Sequence, residues 1–221
     1  MKIAFIYYDF SSFVKQDYEI LSKHFAVEKV SYRRPKDILK IARAIFNSDI
    51  TYSWFASGHS FIAVLISKML NKRSMVVAGG YDVAFVPEMN YGQYTQGIDK
   101  RIYADYVLKN ADIILAVSKF TEGEVLARTK HRKVIVIYNG INTDKFVPGS
   151  DKKNLVITVA SGTKNVIKLK GIEAFARAAE HIPDARFLVM GLSDNDRKIL
   201  AAKYPSPNLE LCGYMSQRDL I

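Results

Sequence analysis

Short apolar runs alternate with longer segments of helical spacing along most of the chain. The runs have four or five residues and end at turn residues, so they predict strands over Ile3–Tyr7, Ala26–Val30, Ile50–Trp54, Met75–Ala78, Ile113–Val117 and Val134–Tyr138. Segments such as "PKDILKIARAIF" and "GHSFIAVLISKML" lie between them and repeat apolar residues every three or four positions, which is typical of amphipathic helices. Because the strands are apolar throughout and alternate with helices, the pattern predicts a parallel sheet covered on both faces.

The same rhythm restarts after a turn-rich segment. Pro148, Gly149 and Ser150 precede the charged "DKK", which predicts a boundary between domains 1–149 and 150–221. The second domain is predicted as β-α-β-α-β, with a flexible lysine-bearing loop before Lys170. Its predicted elements are the strands Leu155–Ala160, Phe187–Met190 and Leu209–Cys212 and the helices Gly171–His181 and Asp194–Lys203.

The second domain raises a packing problem. Right-handed crossovers that add three strands in one direction place both helices on one face of the sheet. The opposite face then presents Val156, Ile157, Val159 and either Leu188 or Val189 to water. Since parallel sheets normally have both faces buried, we expect a partner chain or homo-oligomer, the first domain, or a missing half of the sheet to cover this face.

Charge and composition narrow the classes of protein. The net charge is +10, with 21 Lys+Arg against 14 Asp+Glu in the first 150 residues and 11 against 8 in the remainder. A basic field favours anionic partners, and solubility is the alternative explanation. The single cysteine, Cys212, excludes an internal disulfide. No signal-peptide pattern opens the sequence and no stretch is long enough to span a bilayer, so we expect a cytoplasmic protein.

Two lysines mark the first candidate site, in "VASGTKNVIKLKGIEAF". Lys164 and Lys170, with Gly162 nearby, follow the carboxyl end of a predicted strand and precede a helix. Open α/β sheets bind ligands at this position, and anions are favoured at helix N-termini. Two ammonium groups there would neutralise a diphosphate leaving group, whereas the alternative is a solvated lysine-rich loop.

Two further places follow predicted strands. "SMVVAGGYDVAF" brings Gly79, Gly80, Tyr81 and Asp82 to a strand end, where glycines permit close approach and Asp82 holds a hydroxyl or acts as a base; an ordinary tight turn is the alternative. "VIVIYNGINTDKFVPG" places the turn Asn139-Gly140 after a strand, which locally indicates an interdomain linker.

Several common motifs are absent from the sequence. It contains no G-x-G-x-x-G after a strand, no G-x-x-x-x-G-K-[ST] and no metal-spaced His/Cys set, so we expect no metal. Asp194 and Asp196 have the spacing of a metal dicarboxylate, but their position before a helix favours a helix cap.

Four ordered landmarks resemble the retaining glycosyltransferases of family 4, which have the GT-B fold. "NADIILAVSKFTEGEV" is similar to the family's strand–helix entry, and "VIVIYNGINTDKFVPG" is similar to its NG-x-D segment, with Asp144 displaced. "LKGIEAFARAAEHIPDARFLVMG" and "NLELCGYMSQRDL" resemble the two segments that follow. Together they span about residues 105 to 221, and the first 100 residues fit by architecture and by "GGYD".

The resemblance implies a GT-B protein with a Rossmann-like first domain on the acceptor side and a partial second domain on the donor side. It implies that Lys164, Lys170 and Gly162 contact the diphosphate of a nucleotide-diphosphosugar donor, with no cofactor. The loops at Gly191, Gly213 and Tyr214 would border the nucleobase. The "GGYD" segment would line the acceptor cleft, and Asn139 and Gly140 would lie between the domains.

One departure from the family concerns the glutamates of its donor site, and it bears on whether this chain is active by itself. The family's donor site uses two glutamates separated by seven residues, and no glutamate of this sequence has another eight positions on. We therefore expect a carboxyl-terminal domain that is cut short, completed by a separate chain or a longer protein. The alternative is a non-catalytic binding or partner subunit of the same descent. Sugar nucleotides and a sugar or lipid acceptor are the expected partners, a membrane surface is an alternative, and nucleic acid is not expected.

Overall fold

The computed structural model describes residues 1–130, 133–144, 146, 149, 152–160 and 164–215, with the side chains of 164–166 left out. The chain divides into two compact units, Met1–Gly140 and Ile141–Ile221. This division falls in the turn before the predicted boundary at Gly149. Each unit is described by itself below.

The first unit is a six-stranded parallel sheet with the strand order β2-β1-β3-β4-β5-β6. Helices connect successive strands, as the alternation of apolar runs and amphipathic segments predicts. The elements are β1 Lys2–Tyr7, α1 Ser12–Ser22, β2 Ala26–Ser31, α2 Asp37–Phe46, β3 Ile50–Trp54, α3 Gly58–Met69, β4 Arg73–Ala78, α4 Ile98–Asn110, β5 Ile113–Ala116, α5 Lys119–Arg128 and β6 Val134–Val136. Two short 3₁₀ segments, Pro87–Met89 and Gln93–Thr95, lie between β4 and α4.

Neighbouring residues of β4 show how the sheet separates two cores. Val76 is fully buried among residues of α3, α4 and α5, whereas Val77 packs on the other face with Val14 of α1, Phe5 and Trp54. Successive side chains of a strand point to opposite faces, so a continuous apolar run fills both cores. The sheet is therefore covered by helices on both sides. Its loops gather where the parallel strands end, which we call the carboxyl edge, and where they start, which we call the amino edge.

The second unit is a three-stranded parallel sheet with the order β7-β8-β9, and the predicted α/β class with a Rossmann-like architecture is confirmed. The prediction of a flexible loop before Lys170 is wrong for residues 164–169, which form a helix. The elements are β7 Leu155–Val159, α6 Lys164–Leu169, α7 Ile172–His181, β8 Arg186–Met190, α8 Asp194–Lys203 and β9 Leu209–Leu211.

Helices α7 and α8 pack on the same face of this sheet. Ile172 and Ala176 of α7 and Leu200 of α8 share one buried cluster with Val189 of β8. Val189 is therefore buried rather than exposed, because its side chain points toward the helices. On β7, at one end of the three-strand order, Ile157 and Val159 point away from the helices and are exposed by 50% and 45%, as the packing argument predicts. Val156 is 40% exposed but alternates with them, so it points to the same face as Val189.

The helices of the structure are short. Among the residues described, no helix combines the length and the apolar character that crossing a bilayer requires. The longest helix of the first unit, α4, has 13 residues.

Candidate functional site

The loops after β1, β3, β4 and β5 collect at the carboxyl edge of the first sheet, because all its strands are parallel. β1 is followed in the chain by β2 on one side, while β3 lies on its other side. Strand order therefore reverses between β1 and β3. In open α/β sheets, ligands bind in the crevice that such a reversal creates.

The buried carboxylate of Asp82 joins two of these loops. Its Oδ2 accepts a hydrogen bond from the backbone N–H of Ala56 at 2.6 Å, which follows β3. Its Oδ1 accepts from the N–H groups of Gly79 at 3.0 Å and Gly80 at 2.9 Å, which follow β4. The side chain is only 1% exposed, so both oxygens are committed to the backbone.

This placement changes the role predicted for Asp82. A carboxylate with both oxygens buried against backbone amides does not face the surface, so we assign it to positioning the loops rather than to holding a sugar hydroxyl or acting as a base. Burial raises the pKa of Asp82 to about 6, against the lowering effect of its backbone donors.

Gly79 and Gly80 are required by local geometry. A Cβ on Gly79 would lie 2.3 Å from Cε1 of Phe55, so only glycine lets the Phe55 ring approach the backbone this closely. Gly80 has a φ of 111°, in the region that favours glycine. Phe55 itself has a φ of 68° and packs edge-on against Trp54 and Phe13. The two glycines therefore bring the β3 and β4 loops together.

His59 is a buried residue of this edge that the sequence did not single out among its scattered histidines. Its Nε2 lies 2.6 Å from the carbonyl oxygen of Trp54, and its Nδ1 lies 2.9 Å from Oγ of Ser57. Since a carbonyl can only accept, Nε2 carries the proton and Nδ1 accepts from the Ser57 hydroxyl. Burial lowers the pKa of His59 to about 4, so the ring is neutral at pH 7.

Gln93 is a second buried residue that supports the edge. Its side-chain amide donates to the carbonyl oxygens of Ala56 at 2.7 Å and Lys100 at 3.1 Å, and its backbone N–H donates to Tyr81 at 2.8 Å. Ala56 is thus held at its N–H by Asp82 and at its carbonyl by Gln93. Its signal in the sequence is weak, because Gln93 lies in a short 3₁₀ turn rather than in a periodic element.

Aromatic side chains are exposed on the loops that end at this edge. Tyr81 is 44% exposed and meets Tyr91 edge-on at 5.2 Å between ring centroids. The guanidinium of Arg33 lies 4.8 Å from the centroid of Tyr8. Exposed rings combine an apolar body with polar tips or edges, so they suit ligands that are partly apolar. The rings on these loops are those of Tyr8, Tyr81, Phe85 and Tyr138, and Phe120 lies in the first turn of α5.

In the second unit, Lys170 lies at the carboxyl end of β7. Its Nζ donates to the carbonyl oxygen of Val159 at 3.2 Å while the side chain stays exposed. The next residue, Gly171, has a φ of 65° and precedes α7. An ammonium group at a strand end beside a helix N-terminus is a favourable place for an anion.

The loops after β8 and β9 are tied to each other. The N–H of Gly191 donates to the carbonyl oxygen of Gly213 at 2.9 Å, and the N–H of Leu192 donates to Cys212 at 3.1 Å. Gly191 has a φ of 93°, and the ring of Tyr214 is 84% exposed. The three residues predicted to border a nucleobase therefore lie together.

The other predicted site residues are placed only in part. Gly162 lies outside the described residues, and Lys164 begins α6 with a side chain that is not described. Whether Lys164 and Lys170 converge therefore stays a prediction. Asn139 and Gly140 end the first unit, and the carbonyl of Gly140 accepts from Gln16 at 3.2 Å.

The acidic pair before α8 belongs to a helix start. Ser193 is the N-cap residue, and its Oγ accepts from the N–H of Asp196 at 3.1 Å. Asp194 and Asp196 lie in the first turn, where carboxylates suit the helix dipole. Within the described ranges, no group of three or more His, Cys, Asp or Glu side chains is arranged to hold a metal ion.

The two parallel α/β units, with loops gathered at the carboxyl edges of both sheets, define a GT-B-like architecture. The family model for Glycosyltransferase Family 4 matches residues 11–145. This match covers more than half of the 221 residues, and the chain belongs to that family.

Solved structures from two bacteria share the fold. A UDP-N-acetylglucosamine 2-epimerase described as putative, from Listeria monocytogenes, has a TM-score of 0.60 and 14% identity, over 99% of this chain and 70% of that one. S. aureus MnaA, solved with UDP, has a TM-score of 0.59 and 15% identity over the same shares of the two chains. No curated protein matched the sequence.

For a third neighbour, the match covers a smaller share of that neighbour's own chain. A mutant of S. aureus TarM in complex with fondaparinux, α-GlcNAc-glycerol and UDP has a TM-score of 0.55 and 11% identity. The match covers 81% of this chain and 37% of that one. At identities this low, the likeness to all three neighbours establishes the fold alone.

Proposed function

We propose that this chain binds a nucleotide-diphosphosugar through its second unit and contributes to transfer of the sugar, with retention of configuration, to a sugar or lipid acceptor held by its first unit. The observation that carries the proposal is the ammonium group of Lys170, held at the carboxyl end of β7 by the Val159 carbonyl. Membership of Glycosyltransferase Family 4 supports the class of reaction.

The chemistry assigned to the second unit is stabilisation of the leaving group. As the bond between the sugar and the diphosphate breaks, negative charge grows on the diphosphate, and a preorganised cation lowers the energy of that state. Lys170 takes this role, with Lys164 at the start of α6 as the second cation and Gly162 between them and β7. Tyr214 and the backbone at Gly191 and Gly213 border the nucleobase.

The first unit is assigned to the acceptor. Gly79, Gly80 and the exposed ring of Tyr81 form the rim of the cleft, while Asp82 holds the loops from beneath. A lipid-borne acceptor at a membrane surface is one form this acceptor takes in our proposal. UDP-sugars are the first donors to test and UDP the first product to test, because structural neighbours were solved with UDP and with UDP-GlcNAc.

A second candidate function is a binding or partner subunit that turns nothing over. The exposed apolar face of β7, with Ile157 half exposed, favours it because such a face suits a covering partner or a second copy. The family's pair of glutamates with seven residues between them is also absent from these 221 residues.

One assay separates the two candidates. The chain is incubated with a panel of nucleotide-diphosphosugars, and release of nucleoside diphosphate is followed by mass spectrometry. We expect the parent chain to release nucleoside diphosphate, Lys170→Ala to abolish this release and Lys198→Ala to leave it unchanged. Lys198 is the control because it is an exposed lysine of α8, in the same unit, and its side chain has no partner among the described residues. Thermal stabilisation by nucleoside diphosphates without release supports the partner subunit. If the chain shows neither release nor thermal stabilisation, both proposals are overturned.

A further inference from the structure

A second concentration of charged side chains lies at the amino edge of the first sheet, away from the loops described above. Here a cleft of about 840 Å³ opens between the ends of three helices and the starts of two strands. We refer to it as the amino-edge cleft. The basic residues that line it are Lys68, Arg73, Lys109, Arg128, Lys130 and Lys133.

The topology of the sheet explains why these residues meet. Each crossover helix runs antiparallel to the strands, so the carboxyl ends of α3, α4 and α5 lie beside the amino ends of the strands. Lys68, Lys109 and Arg128 occupy the last turns of these three helices. Arg73 begins β4, and Lys133 directly precedes β6.

The negative carboxyl ends of the helix dipoles offset only part of this positive charge. A helix carboxyl end carries about half a negative charge, so the three ends together contribute roughly −1.5. Asp112 is the one carboxylate among the described lining residues, and Glu124 pairs with Arg128 at 3.0 Å. Setting aside Lys133, which makes a contact of its own, the other five cations set against these groups leave an excess of about +1.5 in one cleft.

The carboxylate of Asp112 is already committed. Its Oδ2 accepts from the backbone N–H of Ser74 at 2.7 Å and from the Ser74 hydroxyl at 3.0 Å. By contrast, the exposed side chains of Lys68, Arg73, Lys109 and Lys130 make no hydrogen bond or ion pair with any described part of the chain. Like charges gathered in this way repel one another unless an anion lies among them.

The wall of the cleft is preorganised. Arg128 donates to the carbonyl oxygen of Glu124 at 2.7 Å, and its guanidinium lies 4.4 Å from the centroid of Tyr94. Its side chain is only 15% exposed, so it is fixed by contacts on several sides. A fixed guanidinium beside flexible lysines is a favourable arrangement for oxyanions, because less side-chain entropy is lost on binding.

We propose that the amino-edge cleft is a binding site for ligands that carry two or more phosphate groups. Four exposed cations without a partner among the described residues line the cleft, and the cleft is large enough for several phosphate groups. Free polyphosphorylated molecules and phospholipids whose headgroup carries more than one phosphate share this chemistry. The site lies at the edge of the sheet opposite the candidate acceptor cleft, so it is independent of the proposed transfer reaction.

The first test is calorimetric titration with tripolyphosphate at 0.15 M salt. In the double variant Arg73→Gln with Lys130→Gln we expect affinity to fall at least tenfold, because two unpaired cations leave the cleft. The matched control is Lys23→Gln with Lys36→Gln, which removes the same charge from exposed positions of the same unit outside the cleft and should bind within twofold of the parent. Equal weakening in both double variants would mean that net charge, not the cleft, attracts the anion.

The second test identifies the source of the phosphate groups. Vesicles of neutral phospholipid are compared by co-sedimentation with vesicles containing 30% cardiolipin, whose headgroup carries two phosphates. Binding to anionic vesicles that is lost in the Arg73/Lys130 variant assigns the site to headgroups, whereas tripolyphosphate binding without vesicle binding assigns it to free phosphorylated ligands. A second variant, Lys68→Gln with Lys109→Gln, should reproduce the loss. If the parent chain binds neither tripolyphosphate nor the anionic vesicles saturably, the proposal is overturned.

Discussion

The two units hold their carboxyl-edge loops in different ways. In the first unit, the buried carboxylate of Asp82 bridges 26 residues to Ala56 and also binds two glycine amides, and Gln93 holds the same stretch from the other side. In the second unit, the loops at Gly191 and Gly213 are tied by backbone hydrogen bonds, and the carboxylate of the buried Asp196 accepts a hydrogen bond from Ser193, three residues away. Long-range buried polar contacts therefore characterise the first edge.

This difference goes with how each sheet is covered by helices. The first sheet has helices on both faces and loops fixed from within, so its edge is preorganised before any ligand arrives. The second sheet has helices on one face and exposes Val156, Ile157 and Val159. Each unit can be tested separately, and the predictions below start from the largest expected effect.

Removing the carboxylate of Asp82 should be the most damaging change. Asp82→Ala leaves three backbone N–H groups without their acceptor, and each buried orphan costs about 1–3 kcal/mol, so we expect a loss of about 3 kcal/mol or more. The measurement is urea unfolding followed by the fluorescence of Trp54, the single tryptophan, which lies in the first unit. Exposed Asp184→Ala is the control, and a loss below about 1 kcal/mol for Asp82→Ala would contradict the bridging role.

Two buried groups of the first edge should give opposite pH dependences. Asp82 has a folded pKa raised to about 6 from 3.8, so its contribution to stability is full below about pH 4 and is lost as pH rises through 6. His59 has a folded pKa lowered to about 4 from 6.5, so its contribution is full above about pH 6.5 and is lost as pH falls toward 4.

Substitutions separate these two contributions. Between pH 4 and 6 we expect the unfolding free energy to fall by about 2–3 kcal/mol with rising pH in His59→Gln, relative to the parent chain. In Asp82→Asn the same comparison should show the opposite sign. Urea titrations at four pH values give these slopes, and parallel slopes in all three proteins would mean that neither group is buried as described.

The contact between Gly79 and Phe55 should have an intermediate effect. Gly79→Ala places a Cβ 2.3 Å from the Phe55 ring, so the ring must move and we expect a loss of about 1–3 kcal/mol. Gly123→Ala is the matched control, because nothing lies within 4 Å of its Cβ and it lies inside α5, where alanine is favoured by about 1 kcal/mol. Opposite signs for the two substitutions confirm the close approach, and equal signs contradict it.

Truncations on the two sheets should differ in size. Val76→Ala removes two methyl groups from a fully buried site and should cost about 2 kcal/mol. Ile157→Ala changes a side chain that is 50% exposed and should cost less than about 1 kcal/mol. Unfolding of both variants is followed by circular dichroism. A larger loss at Ile157 that grows with protein concentration would mean that a second copy covers the face of β7.

The sequence predicted elements well where apolar runs were strong. The strand Ile50–Trp54 and the helix Asp194–Lys203 have the predicted bounds, and the others shift by one or two residues. Helix α6 was missed because six residues rich in lysine carry too little periodicity, and so short a helix depends on tertiary packing. The pattern of apolar residues predicts where strands lie, but it does not predict contacts that depend on which strands pair.

The candidate site shows the same limit. Glycines at a strand end indicated a close approach, but the partner, Phe55, belongs to another strand's loop. Asp82 was selected for its position, whereas its burial and its bond to Ala56 follow from the pairing of β3 with β4. His59 and Gln93 carried no local signal, because their roles come from carbonyl groups that the fold brings to them.

Calorimetric titration of nucleoside diphosphates into the parent chain, Lys170→Ala and Lys198→Ala tests the central claim most directly. Hydrogen bonds to charged groups contribute about 1.5–3 kcal/mol, so we predict that Lys170→Ala weakens the best-bound nucleotide at least tenfold. Lys198→Ala should bind within twofold of the parent chain. Equal affinity of the parent chain and Lys170→Ala, or no saturable binding by the parent chain, would contradict a donor site in the second unit.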